Sequence, residues 1–87
     1  RDECSQVRMF AAWSLGTLQD KTAVSVLLDA LEDDNFEVRR YAAEALGNIG
    51  DITALAVVKE RLIKEKKDEV REMLLATFTR LEELEDK

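Results

Sequence analysis

The sequence has no histidine, no proline, one cysteine and three glycines in 87 residues. Without histidine, Ser-His-Asp and Cys-His nucleophilic arrangements cannot be built, and the usual zinc ligand is missing. The glycines stand singly, so no phosphate-cradling loop exists. Cys4 has no internal partner for a disulfide, which fits an intracellular, cytoplasmic protein. Positive charge is also in deficit: 13 Lys and Arg face 19 Asp and Glu, a formal net charge of −6. Such a surface repels phosphate backbones, so nucleic acid is not expected as a partner. No apolar run approaches the ~18 residues that a membrane span needs. The opening RDECSQ lacks the apolar core of a signal peptide.

What is present is a repeat. QVRMFAAWSLGTLQD, EVRRYAAEALGNIGD and EVREMLLATFTRLEE begin at residues 6, 37 and 69. At an offset of 31, residues 7–31 and 38–62 share eleven identities in twenty-five positions, among them Val7/Val38, Arg8/Arg39, Ala11/Ala42, Leu15/Leu46 and Gly16/Gly47. The third copy, from Val70, shifts by one residue through KEKKDE. A fixed period of this length marks stacked supersecondary units.

Each unit reads as two helices. Val38, Ala42, Ala45, Leu46 and Ile49 form one apolar helical face, with Asn35 as N-cap and Gly50 as the left-handed stop. Asp51 caps the next helix, which buries Ala54, Leu55, Val58 and Leu62; Asp20 does the same before Ala23, Val24, Leu27 and Leu31. The pattern predicts five helices at about 5–18, 21–32, 36–49, 52–65 and 68–84. Helices 1, 3 and 5 should form one layer and helices 2 and 4 the other. Gly16 and Gly47 lie mid-helix at a cost of ~1 kcal/mol each against Ala. They imply close helix approach, with Leu and Val of a partner helix filling the space.

The block VRRYAAEALGNIGD resembles the short HEAT-like repeats of about thirty residues found in phycobilin lyases. The resemblance covers nearly the whole chain and implies an all-α fold. That fold is an α-solenoid (alpha-alpha superhelix) of about two and a half helical hairpins, a single domain over 1–87 or a piece of a longer solenoid. The C-terminal copy departs from the pattern. Leu74 and Leu75 replace alanines, Phe78 a leucine and Thr79 the glycine, and the end is acidic, as in a capping helix. In such solenoids the recurring arginine, here Arg8, Arg39 and Arg71, bonds to an acidic residue or helix end of the adjacent repeat. Asp33 and Asp34 are at hand for Arg8 or Arg39.

No constellation for catalysis or for a metal or cofactor emerges. The EDDN run at 32–35 lacks the alternate-position spacing of a calcium loop and reads as capping and solvated charge. KEKK at 64–67 is of mixed sign and makes a poor basic patch. The resemblance places the V-R helices on the concave side. The positions its consensus leaves free, Met9, Phe10, Trp13, Arg40, Tyr41, Glu44, Asn48, Met73 and Arg80, then face outward there. Aromatics are the residue types that dominate binding hot spots. The expected function is therefore a non-enzymatic scaffold that holds a protein or peptide on its concave face. A homodimer through the N-terminal residues Met9, Phe10 and Trp13 is also expected. The family resemblance leaves a chromophore-handling protein of the phycobilin lyase type as the alternative.

Overall fold

The computed structural model describes residues 3–19 and 21–86. They form five α-helices: α1 (Glu3–Leu18), α2 (Val24–Ala30), α3 (Phe36–Ile49), α4 (Leu55–Lys64) and α5 (Asp68–Glu85). α2 and α4 are each preceded by a 3₁₀ turn, Lys21–Ala23 and Ile52–Ala54. The second helix of each unit thus starts tighter than its periodicity suggests.

Local chemistry sets these boundaries. Asn35 has extended backbone, and its side chain accepts from the Glu37 and Val38 amides at 2.8 and 3.3 Å, satisfying donors that a helix start leaves orphaned. Gly50 ends α3 at φ 73°, and Asp51 then accepts from the Thr53 amide at 2.9 Å. The corresponding cap at Asp20 lies outside the described residues. Gln19 holds the place of Gly50 in the first unit and takes the same left-handed conformation, at φ 55°. For a residue with a Cβ that region costs roughly 1–2 kcal/mol. Gln19→Gly is therefore expected to stabilise the chain by about 1 kcal/mol, read as a higher urea midpoint; an unchanged or lower midpoint would refute this.

α3 is the centre of the molecule, with α1 packed on one side and α5 on the other, while α2 lies on α3 and α4 on α5. Helices 1, 3 and 5 thus make one layer, as the repeat predicts. Val38, Ala42, Leu46 and Ile49 are buried beneath Val24, Leu27 and Leu31, and Val70, Leu74 and Leu81 extend the core. Small residues let the layer close. A Cβ on Gly16 would lie 2.6 Å from Ala45 Cα, so α1 and α3 meet backbone to backbone there. At Gly47 the neighbour is Thr77, whose Oγ1 would stand 3.3 Å from an added Cβ. The glycines therefore face Ala45 and Thr77 of the next V-R helix, not the Leu and Val expected. Helix axes this close require small groups on both sides of the seam.

Thr77 is nearly fully buried and would be costly without a partner. Its hydroxyl donates to the Ala43 carbonyl at 2.7 Å. That bond stitches α5 to α3 where the repeat has lost its alanine. The described residues span 42 × 28 × 16 Å.

Candidate functional site: the grooves of the V-R layer

The recurring arginines settle first, because they distinguish scaffold from surface. Arg8 holds Asp33 with Nε and Nη2, and Asp33 Oδ1 accepts from the Asn35 amide at 2.9 Å. One unit on, Arg39 Nε and Nη2 hold Glu65 at 2.8 and 3.0 Å, and Glu65 Oε2 accepts from the Lys67 amide at 3.1 Å. Arg39 Nη1 also donates to the Asp33 and Asp34 carbonyls at 2.7 and 3.2 Å. Arg71 Nη1 does the same to Leu62 and Glu65, at 3.0 and 2.9 Å. Each acidic turn residue thus links two successive V-R helices. The arginines are scaffold.

Glu65 is the residue that sequence reasoning missed, since KEKK suggests a solvated run. Its carboxylate is buried, with Arg61 Nε 3.4 Å away. Burial pushes its pKa up, but the Arg39 hydrogen bond, the Lys67 amide and the Arg39 and Arg61 charges together hold it below the ordinary glutamate value. Asp33 follows the same pattern: burial raises its pKa, and Arg8, the Asn35 amide and the Arg39 charge outweigh it. Elsewhere in the EDDN run, exposed Glu32 accepts from Arg61 at 3.1 Å and Asn35 caps α3. Among the described residues no group of three or more His, Cys, Asp or Glu could hold a metal ion.

Six of the nine expected surface residues, Met9, Phe10, Trp13, Arg40, Tyr41 and Met73, fall into two inter-helix grooves. Met9, Phe10 and Trp13 of α1 meet Tyr41 of α3 around an apolar depression of about 210 Å³. That is below the ~300 Å³ of a small-molecule pocket and suits one large side chain. Trp13 remains 52% exposed and Phe10 69% exposed, so neither belongs to the intrachain core. The second groove, about 470 Å³, runs between α3 and α5 and is lined by Phe36, Glu37, Arg40, Glu69, Glu72, Met73 and Ala76. Met73 sits in this groove as Tyr41 sits in the first.

The Arg40 guanidinium lies 4.6 Å from the Tyr41 ring centroid and joins the two grooves. Glu44 and Asn48 lie on the same layer but line neither groove. Arg80 is less available than expected, because its Nε donates to the Gly47 carbonyl at 2.8 Å. Phe36, covered by Lys67 Nζ at 4.3 Å, was not singled out from the sequence. Its place just after the N-cap reads as helix start, and only the fold brings it beside Met73.

Stacked helical hairpins, joined by the Arg8–Asp33 and Arg39–Glu65 links, form an α-solenoid. The family model for HEAT repeats matches residues 1–77, and the chain belongs to the HEAT-repeat family. Comparison with the curated proteins finds no match. No helix among the described residues is long and apolar enough to cross a membrane.

Proposed function

We propose that the chain is a non-enzymatic interaction module whose V-R layer, the concave side of the solenoid, receives a protein segment. The observation that carries this reading is the Met9–Phe10–Trp13–Tyr41 depression, an exposed aromatic seat between α1 and α3. HEAT repeats commonly mediate protein–protein interaction, and the seat is of side-chain size. The neighbouring groove has Glu37, Glu69 and Glu72 against Arg40, and the chain carries a net −6. The partner segment that fits combines an aromatic or aliphatic anchor with one or more Lys or Arg a few residues away. The same carboxylates disfavour the propionates of a tetrapyrrole, which weighs against the chromophore-handling alternative.

Peptide display against the folded chain is expected to select such sequences. Trp13→Ala and Tyr41→Ala should each weaken the selected peptides about tenfold or more, as hot-spot truncations do. Asn48→Ala should leave them unchanged. Raising salt from 50 to 500 mM should slow association, because rim charges act mainly on the on-rate. Selected peptides that bind both aromatic variants as tightly as the parent would refute the assignment.

A second copy is another occupant for this apolar end, since the same patch on two chains closes with two-fold symmetry. Sedimentation at ~100 µM, above the µM affinity of a modest apolar contact, is then expected to report a dimer. Trp13→Glu should return it to monomer with its helical signal intact. A parent chain that is monomeric at that concentration would end the dimer proposal.

A further inference from the structure

The turn before α3 and the turn before α5 are built alike but carry opposite charge. At an offset of 32, Glu32, Asp33, Asp34 and Asn35 align with Lys64, Glu65, Lys66 and Lys67. The second position keeps its structural role: Arg8 holds Asp33 as Arg39 holds Glu65, and each carboxylate accepts from the amide two residues on. The other three positions do not need lysine for the fold. Asn35 accepts from two amides of α3, whereas Lys67, at the N-cap of α5, makes no side-chain cap bond. Folding also removes the mixed sign that KEKK shows along the sequence. The Glu65 side chain is 1% exposed, while Lys64, Lys66 and Lys67 are all exposed. These lysines line an open depression of about 420 Å³ with Arg39, Arg61 and Glu65, five cations against one carboxylate. Arg39 is occupied by Glu65 and by the Asp33 and Asp34 carbonyls. Arg61 donates through Nη1 to Glu32, and its buried Nε makes no hydrogen bond. Lys67 Nζ rests 4.3 Å from the centre of the Phe36 ring. Among the described residues, neither Lys64 nor Lys66 has a carboxylate within ion-pair distance.

We propose that this depression binds the phosphate of a phosphorylated side chain on a partner protein. Several ammonium groups around one concavity are matched by a group that brings about two negative charges and three strong acceptor oxygens. A carboxylate brings a single charge and satisfies fewer donors. The surroundings restrict the ligand to a compact anion. Glu32 lies against Arg61 on one side, and Asp68 and Glu69 follow Lys67 on the other. A membrane surface or a nucleic acid strand would have to lie against those carboxylates as well as the lysines. The net charge of −6 also repels such extended polyanions at long range. A single phosphate meets the lysines alone, at distances shorter than the ~8–10 Å over which salt screens them. The depression is open, so it admits a side chain carried on a larger molecule. None of Met9, Phe10, Trp13 and Tyr41 lines it, and the proposal does not rest on the aromatic seat.

The probes are a short glycine-flanked phosphoserine peptide, the same peptide with serine or glutamate at that place, and inorganic phosphate. Each is titrated into the isotope-labelled chain at ~50 mM salt, where surface charges are least screened, and read from amide shifts. The phosphopeptide should give saturable shifts centred on Lys64, Lys66 and Lys67, with a Kd of about 0.1–1 mM for a few exposed charge-assisted contacts. The serine peptide should not bind, the glutamate peptide should bind about fivefold or more weakly, and inorganic phosphate should displace the phosphopeptide. Lys66→Asp combined with Lys67→Asn gives this turn the residues found before α3. The pair should abolish phosphopeptide binding at an unchanged or higher urea midpoint, because asparagine supplies the cap that Asn35 provides. Lys64→Gln and Lys66→Gln should each weaken binding about threefold or more without moving the midpoint. Absence of saturable phosphopeptide shifts up to ~10 mM, well above that affinity, would overturn the proposal. So would equal affinity for the glutamate peptide, or binding that survives the double variant. Inorganic phosphate that binds tenfold or more tightly than the phosphopeptide would make a small ion the occupant. Phosphatidylserine–phosphatidylcholine vesicles that pellet the parent but not the double variant would make it a membrane. Either result would also overturn the proposal. Trp13→Ala should leave phosphopeptide binding unchanged, and failure of the phosphate test leaves the aromatic seat standing.

Discussion

Glu65→Ala is expected to destabilise the chain by about 3–5 kcal/mol, the range for removing one partner of a buried ion pair. Four interactions are lost together. Arg39 Nε and Nη2 lose their acceptors, the Lys67 amide loses its cap and Arg61 loses one of its two carboxylate neighbours, keeping Glu32. Arg39 and Arg61, both largely buried, are left as like charges facing the vacated site. A domain of this size has only about 5–10 kcal/mol to lose, so the variant should be substantially unfolded near 37 °C. Urea unfolding followed by circular dichroism tests this. In a double-mutant cycle Arg39→Ala should cost much less in the Glu65→Ala background than alone. The Arg8–Asp33 link repeats the geometry, but Arg8 is 41% exposed, so Asp33→Ala should cost far less. Equal losses for the two carboxylates would refute the distinction.

The same residue predicts a pH response. The Glu65 and Asp33 pKa values are lowered in the fold, so their stabilisation is fully present above the unfolded-state values near pH ~4. It is lost as pH falls through the lowered folded-state values. Stability should therefore fall on acidification below about pH 5, and less steeply in Glu65→Gln, whose amide has no charge to lose.

Most of the fold was legible because the repeat states each element twice. Asn35 and Gly50 bracket α3, and the apolar spacing after Asp51 repeats that before Leu31, so helices and core followed from local chemistry. Glu65 was hidden by the one-residue insertion. At an offset of 31 Asp33 aligns with Lys64, and only an offset of 32 brings it onto Glu65. Three lysines around it then make the run look solvated. The tertiary bond to Arg39, 26 residues away, has no local signature. The grooves were legible as columns of side chains, Phe10, Tyr41 and Met73, but not as concavities. Depth depends on how α1, α3 and α5 splay. Arg80 shows the same limit, since a free position in the repeat says nothing of a carbonyl across the seam.

Gly16→Val is expected to be the most damaging single change in the α1–α3 seam. A Cβ there would meet the Cα and Cβ of Ala45 at 2.6 Å, and neither atom can rotate away. Relief requires α1 to move off α3, against an overpacking cost of about 1–3 kcal/mol or more. The ~0.5–1 kcal/mol that a helix interior gains by losing a glycine does not offset this. Gly47→Val should cost less, although the repeat makes the two glycines equivalent. Its Cβ would meet Thr77 Oγ1 at 3.3 Å, a side-chain group that can yield by giving up its 2.7 Å bond to the Ala43 carbonyl. Glu44→Ala, off both seams, should stay within ~0.5 kcal/mol. Because α1 is packed mainly on α3, Gly16→Val should release it before the rest unfolds. The emission of Trp13, the only tryptophan, would then change at lower urea than the circular dichroism of the whole chain. Coincident transitions with a parent-like midpoint, or a larger loss for Gly47→Val, would show that the α1–α3 backbones do not meet at Gly16.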